Sequence, residues 1–221
     1  FYLQIPIGHV EAGLRTHDRY SPYPEEMNRH LTGVLTDLHF APTETSRDNL
    51  LREGVEPERI FVTGNTVIDA LQATVNQDYR FDWEALGGQP DLNRERLLLA
   101  TTHRRENWGE PLREVYLAFN DLLETFPDVR IIFPVHKNPR VREIVEEVLG
   151  ESNPYRQRVN LIEPLDYEPF ANLMNLSTLV LTDSGGLQEE APSLGKPVLV
   201  LRDTTERPEA LEAGTVKLVG T

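Results

Sequence analysis

Short apolar runs and amphipathic stretches take turns along the whole of this 221-residue chain. The runs predict strands near 2–9, 37–41, 59–63, 96–101, 129–135, 158–162, 178–182, 197–201 and 215–219. Between them lie the helical patterns "PEEMNRHLTGVL", "TETSRDNLLREG", "NTVIDALQATV", "EPLREVYLAFNDLLETF", "NPRVREIVEEVLG", "DYEPFANLMNL" and "GLQEEAPSLG". Several of these open at a Thr, Asn or Asp, whose side chain can accept from the unpaired N–H groups of a helix start. Strands that alternate with helices pair in parallel, because the connection must cross back over the sheet. The class is therefore α/β, with parallel sheets and helices on both faces.

One stretch breaks the rhythm. Residues 77–95, "QDYRFDWEALGGQPDLNRE", are polar and hold Gly-Gly and a Pro. They read as a linker or hinge between a first Rossmann-like lobe in 1–76 and a second in 96–221. Two such lobes bind ligand in the cleft between them.

Composition narrows the partners. With 22 basic against 36 acidic residues the net charge is −14, and no Lys/Arg cluster is dense enough for a nucleic-acid face. The absence of cysteine excludes disulfides and thiolate catalysis. No apolar run approaches the ~20 residues of a membrane span, and no secretion signal is present, so the expected location is the cytoplasm. Carboxylates and imidazoles do not fall at metal-ligand spacings. No Gly-x-Gly-x-x-Gly follows a strand. Neither a metal nor another cofactor is expected. The chain starts "FYLQIPIGHVEAG", inside a predicted strand, and stops just after another, which reads as an internal piece of a longer protein.

Three segments carry chemistry. In "LTDSGGLQEEAPSLG" a strand ends at Ser184-Gly185-Gly186, where free backbone N–H groups and a hydroxyl suit a phosphate. Glu190, on the following helix, could accept the two hydroxyls of a ribose. An ordinary strand–helix turn with solvated glutamates fits the same residues. In "LLLATTHRRENWG" a buried Leu run delivers His103, Arg104 and Arg105 to another strand tip, either around an anion or as a surface turn whose arginines pair with nearby acids. In "IPIGHVEAGLRTHDRYSPYPEEMNRH" Glu11 stands at a strand tip and Glu25 in a helix's first turn. Two carboxylates facing a sugar ring can serve as base and acid, while acids in a helix's first turn also simply favour its dipole. Arg207, in "RDTTERPEA", could hold a phosphate or sugar hydroxyls, and His136 ends the strand in "FPVHKNP", where a structural histidine fits as well.

Taken in order, "HVEAGLR", "PEEMNR", "HFAPTETSRDNL", "VTGNTVIDAL", "THRRENWG", "PVHKNP", "LTDSGGLQEEAPSLGKPVLVLRDTTERPEA" and "AGTVKLVGT" resemble the non-hydrolysing UDP-N-acetylglucosamine 2-epimerases. The resemblance implies a fold of GT-B type and a homodimer in the bacterial cytoplasm. It implies interconversion of UDP-GlcNAc and UDP-ManNAc, without a cofactor, for cell-surface polysaccharides. The implied route is elimination of UDP to 2-acetamidoglucal and re-addition. By motif, Glu11, Glu25 and His103 become catalytic. Ser184, Gly185, Gly186 and Arg207 hold phosphate or sugar, Glu190 the ribose, and Phe170 flanks the uracil. Arg104 and His136 match the positions at which some members bind a second UDP-GlcNAc as activator. Leu165 stands where some relatives carry a Gln that contacts the nucleotide. The resemblance also puts phosphate contacts and a further catalytic Asp before Phe1, so the 221 residues alone are expected to be inactive. A GT-B glycosyltransferase, a hydrolysing epimerase and a non-catalytic UDP-sugar sensor are the competing readings.

Overall fold

The structure, a computed structural model, describes residues 1–205 and 207–221, apart from the side chain of Glu106. Two compact units emerge, Phe1–Asp69 with Thr204–Arg207 and Ala70–Asp203 with Pro208–Thr221.

The smaller unit is a three-stranded parallel sheet in the order β1 (Gly8–Val10), β2 (Leu38–Ala41), β3 (Ile60–Val62). The helices α1 (Glu25–Leu35) and α2 (Glu44–Arg52) connect them, and α3 (Thr66–Thr74) begins in this unit and finishes in the other. Thr43 caps α2, its hydroxyl accepting the Ser46 N–H at 3.1 Å. Ladder pairing begins at Gly8, later than the apolar run from residue 2 predicts. Pro6 has no N–H to give a ladder, and the Gln4 N–H closes a turn on the Phe1 carbonyl at 2.8 Å. The core is small, with Ala12, Ala41, Leu50 and Ile60 buried together, while Leu31, Val34, Phe61 and Val62 stay exposed.

The larger unit is a six-stranded, wholly parallel sheet. Its strands are β4 (Arg96–Thr101), β5 (Val129–Pro134), β6 (Val159–Ile162), β7 (Leu179–Thr182), β8 (Val198–Val200) and β9 (Val216–Leu218). Across the sheet they run β6-β5-β4-β7-β8-β9. In chain order this is the doubly wound arrangement, with its topological switch between β4 and β7.

Side chains alternate across β4. Leu98 and Ala100 join one core with Val115, Tyr116, Phe119 and Leu123 of α4 (Glu110–Thr125) and Val141, Val145 and Leu149 of α5 (Pro139–Leu149). Leu97 and Leu99 join the opposite core, with Ala171, Leu173 and Met174 of α6 (Tyr167–Leu176) and Leu187 and Ala191 of α7 (Leu187–Ser193). The buried positions of α4 recur every three or four residues, the spacing that lines one face of a helix. Each fully buried Leu contributes about 1.5–3 kcal/mol by leaving water. Leu71 and Leu86 are buried in the second core and Phe81 and Trp83 pack on it, so the polar stretch 77–95 is anchored by its apolar side chains. The five-residue α8 (Pro208–Glu212) lies on the same side, through Ala210 and Leu211. Its one sequence signal is the opening Pro, whose fixed φ suits a first helical turn.

Candidate functional site

In sheets of this order ligands bind at the carboxyl ends of the strands by the switch point, which here lies between β4 and β7. Those ends are stitched together. The hydroxyls of Thr101 and Thr182 share a hydrogen bond of 2.7 Å, and Thr182 Oγ1 also accepts the Ser184 N–H at 2.9 Å. Asp183, wholly buried, accepts the backbone N–H groups of His103 and Arg104, both at 2.9 Å. The His103 Nδ1 lies 2.8 Å from Asp183 Oδ1. A buried carboxylate is tolerable only with several donors around it, and here they come from the neighbouring strand tip. Thr102 turns inward instead and bonds the Tyr116 hydroxyl at 2.8 Å. Burial pushes the Tyr116 phenol above its ordinary value. Thus His103 and Ser184, 81 residues apart in sequence, are brought to neighbouring strand tips through Asp183, a residue the motif reading passes over.

The glycine turn lies at the same strand ends. Its first helical bonds are donated by Gln188 to the Gly185 carbonyl (3.3 Å) and by Glu190 to that of Gly186 (3.0 Å). The N–H groups before them are those that a helix start leaves without helical acceptors. A Cβ on Gly186 would sit 3.2 Å from Glu190 Oε1, so the missing side chain makes room for a carboxylate folded back over the turn. Glu190 is 9% exposed. Burial, and after it the Glu190 charge, raises the Tyr167 phenol. Phe170, on the same helix, and Leu165, just before it, are partly buried against the second core. His136, at the tip of β5, is set differently from His103. Its Nδ1 accepts the Asn138 N–H at 3.2 Å, so in the neutral ring the proton sits on Nε2.

In the smaller unit Glu11 follows β1 with φ +66°, the left-handed region that side chains other than glycine rarely occupy. Its Oε1 accepts from Asn65 Nδ2 (3.3 Å) and Arg207 Nη2 (3.2 Å), and Arg207 is itself 5% exposed. Sequence reading misses Asn65. Gly13 lets the chain turn flush against α2: with φ +86°, a Cβ there would stand 2.1 Å from the Ser46 carbonyl oxygen. The adjacent glutamates of α1 part company. Glu26 is buried and accepts the N–H groups of Thr16 and His17, each at 3.1 Å, whereas Glu25 is exposed. Nearby, burial holds His9 and His39 below the ordinary histidine value, helped by each other for His9 and by Arg15 for both. Arg15 grips Glu53 through two bonds, at 2.7 and 2.8 Å, and that pairing outweighs burial to lower the Glu53 carboxyl. Among the described residues no group of three or more His, Cys, Asp or Glu is arranged to hold a metal ion. Nor is any helix among them long and apolar enough to cross a membrane.

Comparison with known proteins identifies the family. The family profile of UDP-N-acetylglucosamine 2-epimerase matches residues 1–221. The UDP-N-acetylglucosamine 2-epimerase of Bacillus subtilis is 54% identical over all of this chain, which spans 56% of that protein's length. The UDP-GlcNAc 2-epimerase of Neisseria meningitidis, solved with UDP-GlcNAc bound, superposes with a TM-score of 0.90 at 50% identity, over all of this chain and 59% of that one. An S. aureus MnaA–UDP co-structure gives a TM-score of 0.92 at 51% identity, over all of this chain and 58% of that one. The chain belongs to the UDP-N-acetylglucosamine 2-epimerase family.

Proposed function

We propose that the protein carrying this sequence interconverts UDP-GlcNAc and UDP-ManNAc by inverting C2. The family match along all 221 residues carries this reading. The C2 proton of the sugar is not adjacent to a carbonyl, so simple deprotonation is too difficult. The route is elimination: a base takes the C2 proton as UDP leaves C1, 2-acetamidoglucal forms, and UDP returns while C2 is protonated from the other face. Such a step needs carboxylates for the proton and donors for the departing diphosphate.

Glu11 and Glu25 are assigned the proton transfers. Ser184, Gly185, Gly186 and Arg207 bind phosphate or sugar, with His103 beside the diphosphate. Glu190 takes the ribose and Phe170 flanks the uracil. The contact of Arg207 with Glu11 supports a shared role, since it joins a phosphate-binding cation to a proton-handling carboxylate. Arg104 and His136 are assigned to a second, activating UDP-GlcNAc. Residues 77–95, which fall inside the larger unit, lead from α3 to β4 there. The working form is a homodimer in the cytoplasm, and the product feeds cell-surface polysaccharide.

The test is incubation with UDP-GlcNAc in D₂O, followed by proton NMR at C2. Deuterium at C2 together with UDP-ManNAc is the expected outcome. Transfer of the sugar to an added acceptor, accumulation of free ManNAc, or binding without deuterium would each overturn the assignment.

A further inference from the structure

The mechanism above gives Asp183 nothing to do, yet among the described residues of the larger unit no carboxylate is more completely enclosed: it is 0% exposed. We propose that Asp183 is a positioning residue for His103, fixing which ring nitrogen meets the substrate. The inference rests on the epimerase reading for its kinetic consequence, but not for its structural one.

The geometry leaves little choice. Asp183 Oδ2 accepts the N–H groups of His103 and Arg104, so the carboxylate is locked to the backbone that carries the ring. Its Oδ1 then lies 2.8 Å from His103 Nδ1. Two acceptor lone pairs would repel at that distance, which favours a proton on Nδ1. The other nitrogen, Nε2, sits on the far edge of a side chain that is 45% exposed. His103 therefore presents Nε2 to the ligand, with its lone pair in the neutral ring or its proton in the charged one. The His136 ring, bonded through an accepting Nδ1, is fixed in the opposite sense, so the larger unit holds an internal reference for the comparison.

The Asp183→Asn variant tests this. Its amide oxygen, in the place of Oδ2, can keep the two 2.9 Å backbone bonds and gives up only the 3.1 Å one at Oδ1, while its NH₂ group faces His103 Nδ1 and favours the proton on Nε2. The expected result is a fall in kcat of roughly 10²- to 10⁴-fold, with KM changed by no more than about twofold. In a His103→Ala background the same change should cost little more, because a residue acting through His103 has nothing left to act on. Additive losses in the double variant would overturn the proposal.

A measurement on the unmodified protein guards against a variant that fails to fold. Long-range ¹H–¹⁵N correlation of the imidazoles should show His103 as the Nδ1–H tautomer and His136 as Nε2–H. A His103 ring found as Nε2–H would overturn the proposal whatever the kinetics say. Loss of C2 exchange in the unmodified protein, with His103 still Nδ1–H, would sink the epimerase reading and leave the positioning contact standing.

Discussion

The two units solve the same problem, holding polar groups at strand tips, with unequal resources. In the larger unit a six-stranded sheet carries a buried cluster on each face, and its site is fixed from beneath by Asp183, Thr182 and Thr102, all at or below 3% exposed. In the smaller unit three short strands cover a core of four buried apolar residues, and Glu11 is held from the side by Asn65 and Arg207 while its own side chain is 42% exposed. Rigidity in the first comes from burial; in the second it comes from an unusual backbone angle and two hydrogen bonds. A half-exposed carboxylate such as Glu11 shares its lone pairs with water, whereas a buried one such as Asp183 holds its partners where water cannot compete.

The largest effect expected from this contrast is chemical. Glu11→Gln should slow C2 deuterium incorporation by roughly 10²- to 10⁴-fold while barely moving the thermal midpoint. A marked loss of stability would show that the exposed carboxylate is structural after all.

Next comes packing. Phe119→Ala should destabilise the larger unit by about 3–5 kcal/mol, read by urea unfolding. Amides of β4 and β5 should exchange with deuterium far more slowly than those of β1 and β3. Equal protection in both sheets would break the comparison outright.

The pH dependence should separate the units by sign. His9 and His39 are held below their ordinary 6.5, so the unfolded chain takes up protons first, and stability present above pH 6.5 is lost as pH falls below it. The lowered Glu53 carboxyl extends that loss below its ordinary 4.5. Tyr116 is raised above its ordinary 10.0, so its contribution is present below pH 10.0 and fades as pH rises beyond it. Hydrogen exchange at acid and at alkaline pH should therefore loosen the smaller and the larger unit respectively.

The smallest effect is one the units should share. Thr43→Ala and Asn138→Ala each remove a helix cap, with bonds of 3.1 and 3.0 Å, and each should cost about 1 kcal/mol in its own unit.

Local pattern carries much of this architecture. The run "RLLLAT" reads as a buried parallel strand because Leu97 through Ala100 face two cores, and α4 reads as a helix because its apolar residues return at helical spacing. Between five-residue α8 and a turn, periodicity has too few residues to decide. The strand order is invisible locally, since crossovers set it, and so is the partnership of His103 with Asp183, which exists only because β4 and β7 are neighbours. The Glu11 backbone angle leaves no mark in composition or spacing. The glutamate pair at 25 and 26 looks symmetrical in sequence and becomes asymmetrical only when the loop carrying Thr16 and His17 closes over Glu26.

That backbone angle at Glu11 has an evolutionary corollary. A position at φ +66° is one where Gly or Asn relieves strain on the order of 1–3 kcal/mol. Under selection for folding alone, residue 11 would drift to one of them, and a library screened only for heat resistance should enrich them there. The same library screened for growth on the product should drive them out. Residue 11 would then mark, in a population of sequences, where the demands of staying folded and of doing chemistry pull apart.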